Sequence, residues 1–417
     1  MAATDSPSTL ATRILQACLA GARWNPQDLD RLIGAALKSQ EGTSALFGTL
    51  VEPLADRFDP RLVNCYVAIF SHVGERVLGL NARELTARYE RICPPGRFSG
   101  RAPAVVYVLS RITLGADIAV TSVLIDAALK RFPDAAVVFA GPEKNYQLFS
   151  AEPRVQHLPI SYARGALLGE RLEAWKELRA LIDGSDAIVL DPDSRLTQLG
   201  LLPVIDDQRY FFFESRAYGS WSEESLVELT ASWCRAVLGV TGARPFFCPS
   251  GEVPPNHPET IAISLGVGGN EEKRLPDPFE AELLRRLAAT GRPLLIDKGA
   301  GGEEAERVER AVRELDQHAR VEVWEGTFAA FAARLARCGL YAGYDSSGQH
   351  AAAAAGVPLI TVFCGYACDR TLHRWRPAGE GPVEVISVRR DDDVVDVLDL
   401  VSAALARLEP ARTRRIA

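Results

Sequence analysis

Residues 340–363 read LYAGYDSSGQHAAAAAGVPLITVF. Leu340–Tyr344 is a short apolar run that stops at Asp345 and at the turn-forming Ser346-Ser347-Gly348. An alanine-rich helical stretch follows, Gly356-Val357-Pro358 ends it, and LITVF is a second β-branched run. Strand, helix and strand in that order predict a βαβ unit in a parallel sheet with both faces covered. The alternation extends upstream through TIAISLGVG (260–268), a helix over 277–290, RPLLIDKG (292–299), a helix over 303–318, VEVWEG (321–326) and a helix over 327–337. Downstream, VEVISV (383–388) leads into a helix over 391–408. A Pro-rich break at 247–256 interrupts the pattern, and the same texture stands before it as AVVYVLS (104–110), AAVVFAG (135–141) and DAIVLDPD (186–193).

The expected fold class is therefore α/β, with two doubly wound Rossmann-like domains facing a cleft, over 98–248 and 249–417. Residues 1–97 carry helical signals and hardly a strand. Asn25-Pro26 offers a cap and a first-turn proline before apolar residues at helical spacing, and Arg57–Leu80 and Asn81–Ile92 continue in that style. An amino-terminal helical domain is expected there, ending at the linker 94–100, with the option of an oligomer contact through its helices.

The 417-residue chain is 47% hydrophobic and carries 47 Lys plus Arg against 54 Asp plus Glu, a net charge of −7. That balance argues against a general nucleic-acid surface. The longest uncharged run, Ala351–Cys368, is cut by Gly356-Val357-Pro358, and the amino terminus lacks the pattern of a secretory leader. A cytoplasmic protein with at most peripheral membrane contact is expected. Eight scattered cysteines without a CxxC fit reduced thiols, Cys364 and Cys368 being the one close pair.

Chemistry concentrates in the turns after the strands. At Asp345–His350 a helix start with small side chains suits an anion such as a diphosphate, with His350 one turn in as a donor; simple capping by Asp345 and Ser346 explains the same residues equally well. Gly266-Val267-Gly268-Gly269-Asn270 leads to Lys273-Arg274, where a cation stands ready to neutralise a leaving diphosphate; a flexible loop with solvated cations is the plainer reading. Neither GxxxxGK[ST] nor GxGxxG is present. Asp117 follows the first strand of the first α/β domain, placed as a general base or as a helix cap. Asp191-Pro192-Asp193 reads as a turn on the acceptor side, with Arg195 beside it, and Trp375 is the best-placed tryptophan for a sugar.

These segments, in this order, resemble glycosyltransferase family 9, the ADP-heptose:lipopolysaccharide heptosyltransferases of GT-B fold. The resemblance rests on Gly115-Ala116-Asp117 running to Phe132-Pro133-Asp134 and on Lys273-Arg274-Leu275-Pro276. It rests further on Asp345 to His350 with Gly356-Val357-Pro358 and Phe363-Cys364-Gly365, and on Arg374-Trp375-Arg376-Pro377. The chain departs from the family pattern in having Gly-Ala-Asp for Gly-Asp, and a diagnostic glycine displaced by one. The resemblance implies inverting transfer of a heptose-like sugar from a nucleotide-diphosphate donor, with ADP-heptose expected, to a hydroxyl on a glycan, lipid-linked or protein acceptor. It implies Asp117 as base, and Lys273, Asp345, Ser346, Ser347, Gly348 and His350 around the diphosphate. Gly268, Gly269 and Asn270 belong to the donor loop. Glu303 or Glu304 is implied at the ribose, and Gly326-Thr327 beside the nucleotide base. No cofactor and no divalent metal are expected. The rival readings are an epimerase-like enzyme and a catalytically silent nucleotide-sugar-binding scaffold.

Overall fold

The computed structural model describes residues 5–163, 165–182, 186–252, 254–268, 270–299 and 301–413. Valine- and isoleucine-rich runs become buried parallel strands, because crossover helices cover both faces and leave no polar side. The first sheet holds β1 (Val105–Leu109), β2 (Ala136–Gly141), β3 (Val155–Pro159), β4 (Ala187–Asp191) and β5 (Tyr210–Phe212), in the order β3-β2-β1-β4-β5. The second holds β6 (His257–Ser264), β7 (Leu294–Asp297), β8 (Val321–Trp324), β9 (Cys338–Tyr344), β10 (Leu359–Phe363) and β11 (Val383–Ser387), in the order β11-β10-β9-β6-β7-β8. Neighbouring strands are parallel throughout. Strand order reverses between β1 and β4 and between β6 and β9. The crevice at the carboxyl ends of such a pair is where open α/β sheets bind ligands.

The amino-terminal stretch folds as helices, including Pro7–Leu19, Pro26–Ala36, Pro60–Leu78 and Ala82–Ile92. Local chemistry starts each of these: Asn25 Oδ1 accepts from the Gln27 N–H at 3.0 Å, and Asp59 Oδ1 accepts from the Arg61 N–H at 3.0 Å, each with Pro at the first helical position.

The expectation of a self-contained helical domain needs correcting. Leu29, Leu32, Ile69, Phe70, Leu85 and Tyr89 from the helices share one continuous core with Tyr107, Leu109, Trp175, Val189, Tyr210 and Phe212 of the first α/β unit. Tyr89 meets Phe212 edge-on at 5.7 Å, and the buried Arg88 guanidinium bonds Asp207 at 2.7 Å and the Gly200 carbonyl at 2.7 Å. These helices are the covering layer on one face of the first sheet.

Candidate active site

On the second sheet the two reversal-point turns converge. Beyond β6, Asn270 Oδ1 accepts from the Glu272 N–H at 3.2 Å and opens the short turn Glu271–Lys273. That turn carries Lys273 across to β9's end, where Lys273 Nζ lies 2.5 Å from Asp345 Oδ2. Asp345 Oδ1 accepts from Gln349 Nε2 at 2.6 Å, and Gln349 Oε1 from Thr361 Oγ1 at 2.7 Å, so the buried Gln349 orients the acid that holds the lysine. The helix Ser347–Ala354 begins here, and the Ser346 side chain caps none of its N–H groups.

His350 is 6% exposed, and burial, aided by Lys273, lowers its pKa to about 4. Its imidazole is thus neutral at physiological pH, a hydrogen-bonding group rather than a cation. The sign for stability follows. The unfolded imidazole, near 6.5, takes a proton that the folded one refuses, so stability held above pH 6.5 is lost as pH falls toward 4. The unfolding free energy of His350→Gln is expected to vary less over that window than that of the wild type, by up to about 3 kcal/mol. Superimposable pH–stability curves in denaturant titrations would contradict this.

Of the two candidate ribose acids, Glu304 turns inward. Its carboxylate fills the space between Gly266 and Gly299, where an added Cβ would come within 2.2 Å of Glu304 Oε1 at either glycine. Glu303 faces solvent. Gly268 (φ +65°), Gly326 and Thr327 are exposed, and Thr327 Oγ1 caps the Phe328–Leu335 helix through the Ala330 N–H at 3.3 Å. Gly269 lies outside the described residues.

The first domain's leading turn meets this site directly. Gly115 sits so close to the helix start that a Cβ there would lie 3.2 Å from His350 Cδ2 and 3.3 Å from Ser347 Cα. Asp117, however, is not presented to the cleft as expected. It is wholly buried, and its two oxygens accept from Ser110 Oγ, the Arg111 N–H, Thr121 Oγ1 and Asn145 Nδ2, each at 2.6 Å. Burial pushes its carboxyl above the usual aspartate range even so. Asp117–Thr121 forms a π-helical turn, the device by which a helix takes up one extra residue. That fits the Gly-Ala-Asp spacing, and leaves the buried Ala116 directly after Gly115.

The acceptor-side acids are likewise structural. Asp191 is fully buried and accepts from the Ser194 N–H, Thr197 Oγ1 and Tyr210 Oη at 2.5–2.6 Å, with burial raising its pKa to about 6. Asp193 is buried against Arg216 and Ser215 Oγ, with Arg111 at 3.9 Å. Neither acid is offered to a ligand as the sequence reading expected. Arg195, 26% exposed, pairs with Glu52 of the helical layer at 3.1 Å. Trp375 lies between three neighbours: the His350 ring at 5.9 Å, the Arg111 guanidinium at 5.8 Å and the Phe58 ring at 6.3 Å.

Phe58 marks a contribution that sequence reasoning missed. The turn Asp56–Asp59 of the helical layer lies against the helix Asp369–Trp375. Cys368 Sγ donates to the Arg57 carbonyl at 3.6 Å, Arg370 Nη1 to that of Phe58 at 3.1 Å and Thr371 Oγ1 to that of Asp56 at 2.6 Å. Phe58 adopts φ +50°, a strained value for a non-glycine residue, which turns these consecutive carbonyls outward while burying its ring. Arg374, on the same helix, donates to the carbonyls of Ser220, Ser222 and Glu224 in the first domain.

Two doubly wound sheets whose reversal points meet at a cation, a helix start and an inward carboxylate have the architecture of a GT-B fold. Residues 253–386 match glycosyltransferase family 9 (heptosyltransferase), and this part of the chain is similar to that family. Among solved structures the chain is similar to E. coli heptosyltransferase WaaC with ADP, at 18% identity over 72% of this chain and 99% of that one, with a TM-score of 0.50. It is similar also to WaaC with ADP-2-deoxy-2-fluoro heptose, at 18% identity, 73% and 99% coverage and a TM-score of 0.52. No curated protein matches the chain.

The bacterial iron-containing dodecameric glycosyltransferase TibC, from enterotoxigenic E. coli H10407, is another similar structure, at 9% identity over 64% of this chain and 59% of that one, with a TM-score of 0.39. It corrects the expectation that no cofactor is involved: a similar heptosyltransferase contains iron. Among the described residues no group of three or more His, Cys, Asp or Glu is placed to hold a metal, and no helix is long and apolar enough to cross a membrane.

Proposed function

We propose that this enzyme transfers a heptose-like sugar, with inversion, from a nucleotide-diphosphate donor to a hydroxyl of a glycan, lipid-linked or protein acceptor, ADP-heptose being the donor we favour and the cytoplasm the place. The observation that carries the reading is the convergence of Lys273 and the Ser347–Ala354 helix start on one point, with neutral His350 buried beside it. Donor binding there exchanges the Lys273–Asp345 pair for a Lys273–diphosphate contact. Free N–H groups of Ser347 and Gly348 and the His350 imidazole would complete the cradle. As the bond from the anomeric carbon to the phosphate oxygen breaks, negative charge grows on the departing diphosphate, where a preformed cation and helix dipole stabilise it most. Glu304, rather than Glu303, takes the ribose hydroxyls, and Gly268 and Asn270 shape the loop above them.

Calorimetric titration with ADP-, UDP-, GDP-, CDP- and dTDP-linked sugars tests this. One nucleotide should bind preferentially, and Lys273→Ala should weaken it by ~1–3 kcal/mol, as for a charged hydrogen bond. A folded protein that binds none of them would overturn the donor-site reading.

A further inference from the structure

Of the six tryptophans, five are buried or half-buried and Trp221 is 61% exposed. It stands in the loop that leaves the carboxyl end of β5 for the helix Leu226–Leu238, on the side of the first sheet where ligands bind. Much structure is devoted to holding this indole in water. Gly219 and Ser220 before it take left-handed φ values of +77° and +49°. A Cβ at 219 would come within 2.5 Å of Leu229 Cδ2, so glycine alone fits there. Arg374, wholly buried, donates to the carbonyls of Ser220 at 3.1 Å, Ser222 at 2.9 Å and Glu224 at 2.6 Å, on both sides of Trp221. The Arg370 guanidinium lies 4.1 Å above the indole centroid and is itself anchored on the Phe58 carbonyl at 3.1 Å. Both α/β units and the helical layer thus combine to fix one exposed ring.

We propose that Trp221 is a carbohydrate platform that grips the acceptor behind the unit that reacts, and that the acceptor is accordingly an oligosaccharide. This rests on the glycosyltransferase reading above. With Arg370 over one face of the indole, an exposure of 61% leaves the other face to solvent. A sugar ring has an apolar C–H face that can lie on an indole, and a rim of hydroxyls that need polar partners. Exposed carboxylates stand beside the ring to accept from them, those of Glu223 and Glu224 on its own loop and of Asp369 next to Arg370. The same three charges repel an anionic bilayer, the other surface to which an exposed tryptophan and an arginine would be suited. Arg370 and Trp375 are five residues apart on one helix, about 7.5 Å of rise, and the Trp375 ring meets that of His350 at 5.9 Å. Trp221 therefore lies beside the donor cradle and not on it, where a more distant part of the acceptor would rest. Binding energy gained there can be used to position the reacting hydroxyl.

The test places the full chain on a printed array of bacterial glycans that carries each oligosaccharide beside its terminal monosaccharide. The wild type should hold one or more oligosaccharides about tenfold more tightly than the matching monosaccharide, the worth of one well-stacked ring. Trp221→Ala should lose that preference for length, and Trp221→Phe should keep part of it. Both variants should melt with the wild type and bind the nucleotide-sugar selected by calorimetry as it does, because neither the core nor the cradle rests on this ring. In the wild type the bound oligosaccharide should also shield tryptophan fluorescence from acrylamide, since Trp221 is the most exposed indole.

A wild type that holds no glycan, a length preference that survives in Trp221→Ala, or quenching that the oligosaccharide leaves unchanged would overturn the platform while leaving the donor site standing. So would binding to phosphatidylglycerol vesicles in place of glycans, lost in Trp221→Ala, which would make the ring a membrane contact. A lower melting temperature accompanying the loss in Trp221→Ala would make it a structural prop and overturn the assignment as well. Glycan binding by a wild-type protein that takes none of the nucleotide-sugars would overturn the glycosyltransferase reading, and the acceptor role of Trp221 with it.

Discussion

A chain beginning at residue 98 is expected not to fold. The linker at 94–100 looks like a domain boundary in sequence, but Phe98 packs edge-on against Phe132 at 5.1 Å, and its N–H donates to the Val237 carbonyl at 2.8 Å. More decisively, Tyr107, Leu109, Trp175, Val189, Tyr210 and Phe212 complete their burial against the helices that such a cut removes. Uncovering a large apolar side chain costs roughly 1.5–3 kcal/mol. Half a dozen of them match or exceed the whole stability of an ordinary domain, about 5–15 kcal/mol. The guanidinium of Arg88, removed with them, also takes its bonds to Asp207 and Gly200 away from the first unit. Expression of 98–417 should therefore give aggregated or molten material by gel filtration and thermal melting. A monodisperse fragment with a cooperative melt would show that the helical layer is dispensable.

Asp117→Ala carries the second large effect, and here the expectation is loss of stability before loss of chemistry. Removing the carboxylate strands Ser110 Oγ, the Arg111 N–H, Thr121 Oγ1 and Asn145 Nδ2 in a site closed to water. An unsatisfied buried donor costs about 1–3 kcal/mol, and four that relax together give roughly 3–5 kcal/mol in all. Asp117→Asn should fare only somewhat better, since its amide presents N–H where an acceptor is required. The turn Ser110–Gly115 would shift with it, and Gly115 lies against His350 and Ser347, so donor affinity should fall in parallel. Urea titration of both variants distinguishes the two roles of Asp117. A base that does nothing else leaves the unfolding midpoint where it was, whereas a structural anchor moves it.

Much of this architecture is legible in the chain, and the reasons it is legible also say where reading stops. The strands beside each reversal point, β1, β4, β6 and β9, are buried on both faces and announce themselves as β-branched runs. The turns after them therefore fall into register, and Lys273, Asp345 and His350 come out together. The edge strands β3 (VQHLP) and β5 (YFF) carry too little apolar repetition to be seen. Asp117 illustrates a different limit. Its spacing after a strand suits a base, but its fate is decided by Asn145, 28 residues away, and no local pattern encodes that contact. Phe58 is the extreme case: in EPLADRFDP it looks like one more residue beyond the end of a helix, yet its buried ring meets Trp375. Its importance arises only because a helical layer docks against both halves of a cleft whose walls lie hundreds of residues further on.

That docking has a cost in time. If the two α/β units were to hinge apart, a two-body hinge would need only to bend its linker. In this chain the helix Asp369–Trp375 is tied to the Asp56–Phe58 carbonyls on one side and, through Arg374, to the Ser220–Glu224 loop on the other. Opening is therefore a three-body event in which the strap must let go before the hinge can turn. At about 0.5–1.5 kcal/mol net per hydrogen bond, the three bonds to Asp56–Phe58 hold with roughly 2–4 kcal/mol. That is small enough to break spontaneously and large enough to make the unlatched form a minority. The aromatic contacts from Phe58 through Trp375 to His350 set this latch directly against the wall of the cradle.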